Sequence, residues 1–289
     1  MGMVISEAFS VYVRYQTVER GYSTFTVERT KSFCRKMVRQ FGDIDVSELT
    51  EDGLKSFQRL LHRHSKSPVT YYNRVVDIRR FLKFLYLRKL TAVHFEQFPT
   101  PRKTDVEKRW LEPDQIARLI AGIPDTTLKG LRDAAIISLM ASSGLRVGEV
   151  ERIRNSDIGP EGSISVVGKG GRRRCVFVHE STLQRVYAYI NAKQRHANSQ
   201  LTDQPLFTLC RSAIHAASVK WGKKILGISV NPHMLRHSFA TNMAAADMEV
   251  TTIAQLMGHS DITTTTKYLH YANGRLQSLY KRHAGGWGY

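Results

Sequence analysis

Residues 258–271 read GHSDITTTTKYLHY, which sets His259, His270, Tyr268 and Tyr271 around four consecutive threonines. A phenol is a candidate covalent nucleophile, but with a pKa of about 10 it is weak until nearby positive charge favours the phenolate. Three other motifs carry that charge. In GLRVGE (144–149), Arg146 stands just before a helix and Glu149 lies one turn on, close enough to orient the guanidinium. In VGKGGRRR (167–174), Lys169 sits between glycines on a turn, with Arg172, Arg173 and Arg174 behind it. In NPHMLRH (231–237), Asn231 is a cap and Pro232 suits the first turn. His233, Arg236 and His237 then follow at spacings that bring them to one side of the helix start, where backbone N–H groups also attract an anion.

Taken singly, each motif has an ordinary reading. An Arg beside a Glu is usually a surface pair, and a lysine on a hairpin turn is usually just exposed. A P-loop fails, because Gly162 and Gly168 are separated by five residues and Lys169 is followed by Gly170. His-x-x-x-His resembles half of a zinc site, but Met234 stands where a metalloprotease carries its glutamate, and Arg236 on the same face would repel a dication. Together the motifs give two arginines, a lysine, two or three histidines and a tyrosine, without a carboxylate cluster to hold a metal. That set suits attack on a phosphodiester: cations clamp the non-bridging oxygens, a histidine or lysine manages protons, and a phenol forms a covalent intermediate. No metal or other cofactor is expected, and either tyrosine could act.

The elements that must position these groups are mostly helical. Apolar residues recur at helical spacing over 26–42, 50–65 and 67–90, each with a basic face, and Thr50 and Ser67–Pro68 are start signals. Arg74, Arg79, Arg80 and Lys83 on the last of these are candidate DNA contacts, as are Arg172, Arg173 and Arg174. With 43 Lys and Arg against 25 Asp and Glu, the net charge of +18 points to a nucleic-acid partner, although an anionic membrane surface would also attract such a chain. The linker is placed at 97–109, where prolines and mixed charges interrupt the periodicity, between a helical domain over 1–96 and a second domain over 110–289. In the latter, Gly144 stops a buried-looking helix over 131–144, and 163–178 predicts a β-hairpin. The fold class is therefore mainly α with a small β-hairpin. No run approaches the roughly 18 apolar residues of a membrane span, so a soluble, cytoplasmic chain is expected. Cys34, Cys175 and Cys210 are far apart and odd in number, which suits a reducing compartment. Gly2 and Ser6 match a myristoylation pattern that is short and frequent by chance.

The order and spacing of GLRVGE, GKG, HMLRH, LMGHSDI and KYLHY closely resemble the tyrosine recombinase (phage integrase) family, from about residue 110 to 271. The helical part before them resembles that family's core-binding, SAM-like domain. The resemblance implies an α+β catalytic domain in which Arg146 and Arg236 bind the scissile phosphate and Lys169 protonates the leaving 5′ oxygen. It further implies that His233 assists proton transfer, His259 hydrogen-bonds the phosphate and Glu149 supports the arginines. In that family the nucleophile lies nine residues beyond the second histidine, which selects Tyr268 over Tyr271. A 3′-phosphotyrosyl intermediate would follow without metal or ATP. The implied partners are double-stranded DNA with an inverted-repeat core site and three further copies in a homotetramer, with a paralogous recombinase or accessory protein as an addition. The location would be the nucleoid in the cytoplasm. The two-domain layout resembles the Xer type or the recombinase of a mobile element. Two rivals are a catalytically silent DNA-binding or assembly protein, and a type IB topoisomerase-like enzyme that relaxes DNA.

Overall fold

Helical spacing of apolar residues, started by well-placed caps, builds the first part of the chain. It contains α1 (Ile5–Arg14), α2 (Thr24–Phe41), α3 (Glu51–Arg63) and α4 (Pro68–Leu87). Thr50 Oγ1 accepts from the Gly53 N–H at 3.2 Å to start α3, and Ser67 Oγ accepts from the Thr70 N–H at 3.2 Å to start α4, with Pro68 in its first turn. Both caps satisfy N–H groups that the first helical turn cannot bond internally. The computed structural model describes residues 2–22, 24–102, 109–168, 171, 173–197 and 203–258, and divides the chain into two units, Met1–Glu107 and Lys108–Tyr289.

The first unit is centred on aromatic packing. Phe9 of α1 stacks on Phe81 of α4 with ring centroids 3.8 Å apart, and Phe33 of α2 meets Phe9 edge-on. The buried face of α4 is Val75, Ile78, Phe81, Leu82, Phe84 and Leu85. That face is rotated from the one that helical spacing in the sequence selects, which is Val69, Tyr72, Val76, Phe81, Leu82 and Leu85, and Val69 is exposed. The rotation half-buries two arginines expected on the basic side. Arg74 Nη1 donates to the His64 carbonyl (3.1 Å) and Ser65 Oγ (3.0 Å), and Arg79 Nη1 donates to the Phe98 carbonyl at 3.3 Å. Arg80 and Lys83 remain exposed.

The second unit contains α5 (Pro113–Ala121), α6 (Leu128–Ser143), the single turn α7 (Val147–Val150), β1 (Ser163–Val167) and β2 (Arg173–Phe177). Then come α8 (Glu180–Ala197), α9 (Arg211–Leu226), α10 (Pro232–Ala245) and α11 (Val250–Met257). Helix α6 is the core of this unit, buried over most of its length and packed against α8 and α10. Its one buried carboxylate, Asp133, accepts from Arg132 and from Trp221 Nε1 at 2.9 Å. The hairpin pairs antiparallel with Val166 opposite Arg174 and Ser163 opposite Phe177. Ile164, Val166 and Val176 face the core. Asn231 Oδ1 accepts from the Met234 N–H at 2.9 Å and Pro232 occupies the first turn, as the sequence implies for the start of α10. Among the described residues no helix is long and apolar enough to cross a membrane.

Gly144 ends α6 in the left-handed region at φ 62°, and a Cβ there would lie 2.5 Å from Phe239 Cδ1. Gly144→Ala should therefore destabilise the second unit by about 1–3 kcal/mol, through backbone strain and the clash together. Trp110, Trp221 and Trp287 all belong to that unit, so urea unfolding followed by tryptophan fluorescence reads the loss directly.

Candidate active site

Arg146 caps α7, and the residue that holds it lies on the same turn. Its backbone N–H donates to Glu149 Oε2 at 2.8 Å, and its guanidinium Nη1 donates to Glu149 Oε1 at 3.0 Å. A second guanidinium reaches the same carboxylate from the hairpin. Arg174 Nη1 and Nη2 donate to Glu149 Oε1 and Oε2, each at 2.9 Å, in the two-pronged arrangement that suits a planar cation facing a planar anion. Glu149 is 3% exposed. Burial pushes its pKa up, but the hydrogen bonds from Arg174 and from the Arg146 N–H, with the two positive charges, outweigh burial and hold the carboxyl below its ordinary value.

The end of α11 closes the arrangement. The last carbonyls of a helix have no partners within it and carry partial negative charge. Here Arg174 Nε donates to the Leu256 carbonyl at 3.0 Å, Arg236 Nη2 to that of Met257 at 2.8 Å, and Arg146 Nη2 to that of Gly258 at 3.1 Å. Arg236, buried on α10, also donates through Nη1 to the Gly144 carbonyl. Gly258 takes the left-handed conformation at φ 62°, and a Cβ on it would come 2.8 Å from Arg174 Nη1. A side chain there would be strained by the backbone conformation and would have to push that guanidinium aside. Three guanidinium groups gathered at one helix end, with one carboxylate between two of them, leave a formal surplus of two positive charges that suits an anion.

The structure thus brings Arg146 and Glu149 together, as their spacing implies, and places Arg236 at the same helix end, as the family resemblance implies. His233 is exposed at the start of α10, whereas His237 is buried and edge-on to Trp110, with ring centroids 6.5 Å apart. Lys169, Arg172, His259, Tyr268 and Tyr271 lie outside the described residues. Arg173 is exposed on the outer side of the hairpin. Arg174, expected beside it as a DNA contact, points inward instead, because β2 alternates and residue 174 shares the face of buried Val176. That alternation was legible in RRRCVFV and is the signal that places Arg174 in the site. No residue type announced the carbonyls of Leu256, Met257 and Gly258, since they act through the backbone.

This mainly helical unit gathers three arginines and a buried carboxylate at one helix end, a set suited to an anion such as a phosphate. Residues 109–275 match the phage integrase family, and the chain belongs to it. It is similar to tyrosine recombinase XerC of Vibrio cholerae serotype O1, with 27% identity over 288 residues covering 96% of this chain and 92% of the relative. It is also similar to XerC of Syntrophus aciditrophicus, at 29% identity over 96% of this chain and 97% of the relative. Among solved structures it resembles XerA recombinase at 26% identity and a TM-score of 0.52, covering 96% of this chain and 98% of that one. A lambda integrase (75–356) dimer bound to a COC′ core site shares the fold at a TM-score of 0.71 and 15% identity, with coverage of 92% and 95%. The activity that goes with this family and these relatives is site-specific DNA recombination by a tyrosine recombinase.

Because the folded pKa of Glu149 is depressed, the stability it contributes is fully present above the unfolded value of about 4.3 and is lost as pH falls through the folded value. Glu149→Gln should cost about 2–3 kcal/mol at pH 7, where it weakens two charged contacts. It should also flatten the fall in stability below about pH 4.3. Urea unfolding at several pH values checks both.

Proposed function

We propose that Tyr268 is the nucleophile, and that DNA cleavage proceeds through a 3′-phosphotyrosyl intermediate at the arginine cluster described above. The observation that carries this reading is the cluster itself: Arg146 and Arg174 converge on Glu149, and Arg146, Arg174 and Arg236 each reach one of the carbonyls that immediately precede the His259–Tyr268 segment. Arg146 and Arg236 bind the non-bridging oxygens of the scissile phosphate and favour the phenolate of Tyr268. The phenolate oxygen forms a bond to phosphorus, the bond from phosphorus to the 5′ oxygen breaks, and Lys169 supplies the proton to that oxygen. His233 takes part in proton transfer, and His259 hydrogen-bonds the phosphate. A 5′ hydroxyl from another strand then attacks the phosphotyrosyl bond, which restores the backbone and frees the phenol.

In this proposal the partner is double-stranded DNA carrying an inverted-repeat core site, held by a homotetramer with two protomers active at a time, and an accessory protein or a paralogue is an added partner. Residues 1–96 form the core-binding domain and 110–289 the catalytic domain. The phosphate contacts are Arg80, Lys83, Arg172 and Arg173. Arg59, His62 and Arg63, exposed beside Tyr71 in a cleft along α3, supplement them. Arg74 and Arg79 contribute less, since their guanidinium groups bond to the chain's own carbonyls. The DNA-bound lambda integrase and the XerH recombinase bound to its difH substrate, which share the fold, support this partner. The proposed location is the cytoplasm, on the nucleoid.

The test uses nicked suicide duplexes prepared as a library from genomic DNA, incubated with the protein in EDTA and run on a denaturing gel. Wild type and Tyr271→Phe should form a protein-DNA adduct, and Tyr268→Phe should form none while binding DNA as well as wild type. Loss of the adduct in Tyr271→Phe alone would overturn the assignment, and no adduct from any form would favour a silent DNA-binding protein. Lys169→Ala should slow adduct formation by about 100-fold or more, and a duplex with a better 5′ leaving group should restore it.

A further inference from the structure

We propose that Arg174 is a positioning residue for strand cleavage: one guanidinium ties the β-hairpin to Glu149 and to the end of α11. It thereby fixes Arg146 and the end of α11 relative to β2, the strand that follows Lys169 in sequence. The inference deepens the proposed cleavage mechanism and rests on it. Its ground is a set of contacts from three separate stretches of chain that meet at one side chain. Nη1 and Nη2 hold both oxygens of Glu149 on α7, Nε holds the Leu256 carbonyl on α11, and the side chain itself leaves β2 five residues after Lys169. Its Nε, Nη1 and Nη2 all donate to the protein's own acceptors, and only 14% of the side chain is exposed.

The geometry also shows what loss of Arg174 would change. Arg146 is gripped on one side by Glu149 and on the other by the Gly258 carbonyl. Arg174 grips those same two places, the carboxylate directly and the helix end through Leu256 and its packing over Gly258. Without it, Glu149 keeps Arg146 alone as a direct partner, and the end of α11 loses its link to the hairpin. The charged groups around Glu149 are then Arg146 on its own turn and, in the adjoining cleft, Glu151, Arg152, Arg154, Asp157 and Arg173. Misplacement of a catalytic group by about 1 Å can cost about 100-fold in rate, so the effect belongs to the chemical step more than to DNA binding.

The experiment compares wild type, Arg174→Met, Arg174→Lys and the double variant Glu149→Gln/Arg174→Met, using the adduct assay at saturating suicide duplex over a range of pH. Arg174→Met keeps the length of the side chain and drops the charge, and Arg174→Lys keeps the charge and drops the fork. The double variant removes the buried carboxylate that Arg174→Met leaves with only one of its two cations, so it is the form expected to fold if Arg174→Met does not. We expect adduct formation by Arg174→Met to fall by about 10- to 100-fold, with Arg174→Lys between it and wild type. Duplex affinity and its salt dependence should stay at wild-type values. Arg174→Met should also show an added loss of rate toward acid pH as the buried Glu149 takes a proton, and the double variant should lack that added loss. The role is overturned if Arg174→Met cleaves at the wild-type saturated rate. It is equally overturned if affinity falls and the log-log salt slope shrinks by about one, the mark of a lost phosphate contact. No adduct from wild type would overturn the cleavage reading and this role with it, whereas a wild-type adduct with unimpaired Arg174→Met overturns this role alone.

Discussion

Glu149 is the constraint on which the site depends. Guanidinium groups brought together in a half-buried place repel one another, and a protein can hold them there only with compensating negative charge or oriented carbonyl dipoles. This chain uses both. One carboxylate sits between Arg146 and Arg174, and the three last carbonyls of α11 each receive a different arginine. The compensation is deliberately incomplete in charge. One full negative charge and a helix end of about half a charge leave the cluster positive, and the remaining attraction is available to a phosphate.

The same contacts explain why elements remote in sequence have to be placed accurately. Arg146 and Glu149 come from the turn after α6, which depends on Gly144 reversing the chain against Phe239. Arg174 comes from a hairpin whose inner face is apolar apart from it, so core burial of Val166 and Val176 drives the guanidinium inward. Arg236 comes from a helix started by Asn231 and Pro232 and held at Ser238, whose hydroxyl accepts from the Leu111 N–H at 2.8 Å. The hydrophobic core thus does the positioning, and the polar contacts select the final geometry.

Much of this was legible in the chain. Helix starts at Thr50, Ser67 and Asn231 follow from local hydrogen-bonding chemistry and are present as read, and the Gly144 stop and the hairpin over 163–178 likewise. The pairing of Arg146 with Glu149 follows from helical spacing. One thing was not legible, and another was legible but misread. Which side of α4 is buried depends on which neighbours α1 and α2 present, so Arg74 and Arg79 could not be known as half-buried from their own helix. Arg174 was grouped with Arg172 and Arg173 by composition, where the two-residue period of the strand separates it from Arg173.

The backbone contacts also fix where the positive charge of the cluster points. A dication would bring its charge as one compact point, while here the charge is spread over planar forks whose directions are fixed before any ligand arrives. Each fork is aimed by a partner on the protein side: Arg146 by Glu149 and Gly258, Arg236 by Gly144 and Met257. Little reorganisation then remains for the moment of reaction, which is where electrostatic catalysis gains most. The aiming partners at Met257 and Gly258 are also the last residues before His259. Any shift of the end of α11 is therefore felt by both guanidinium groups.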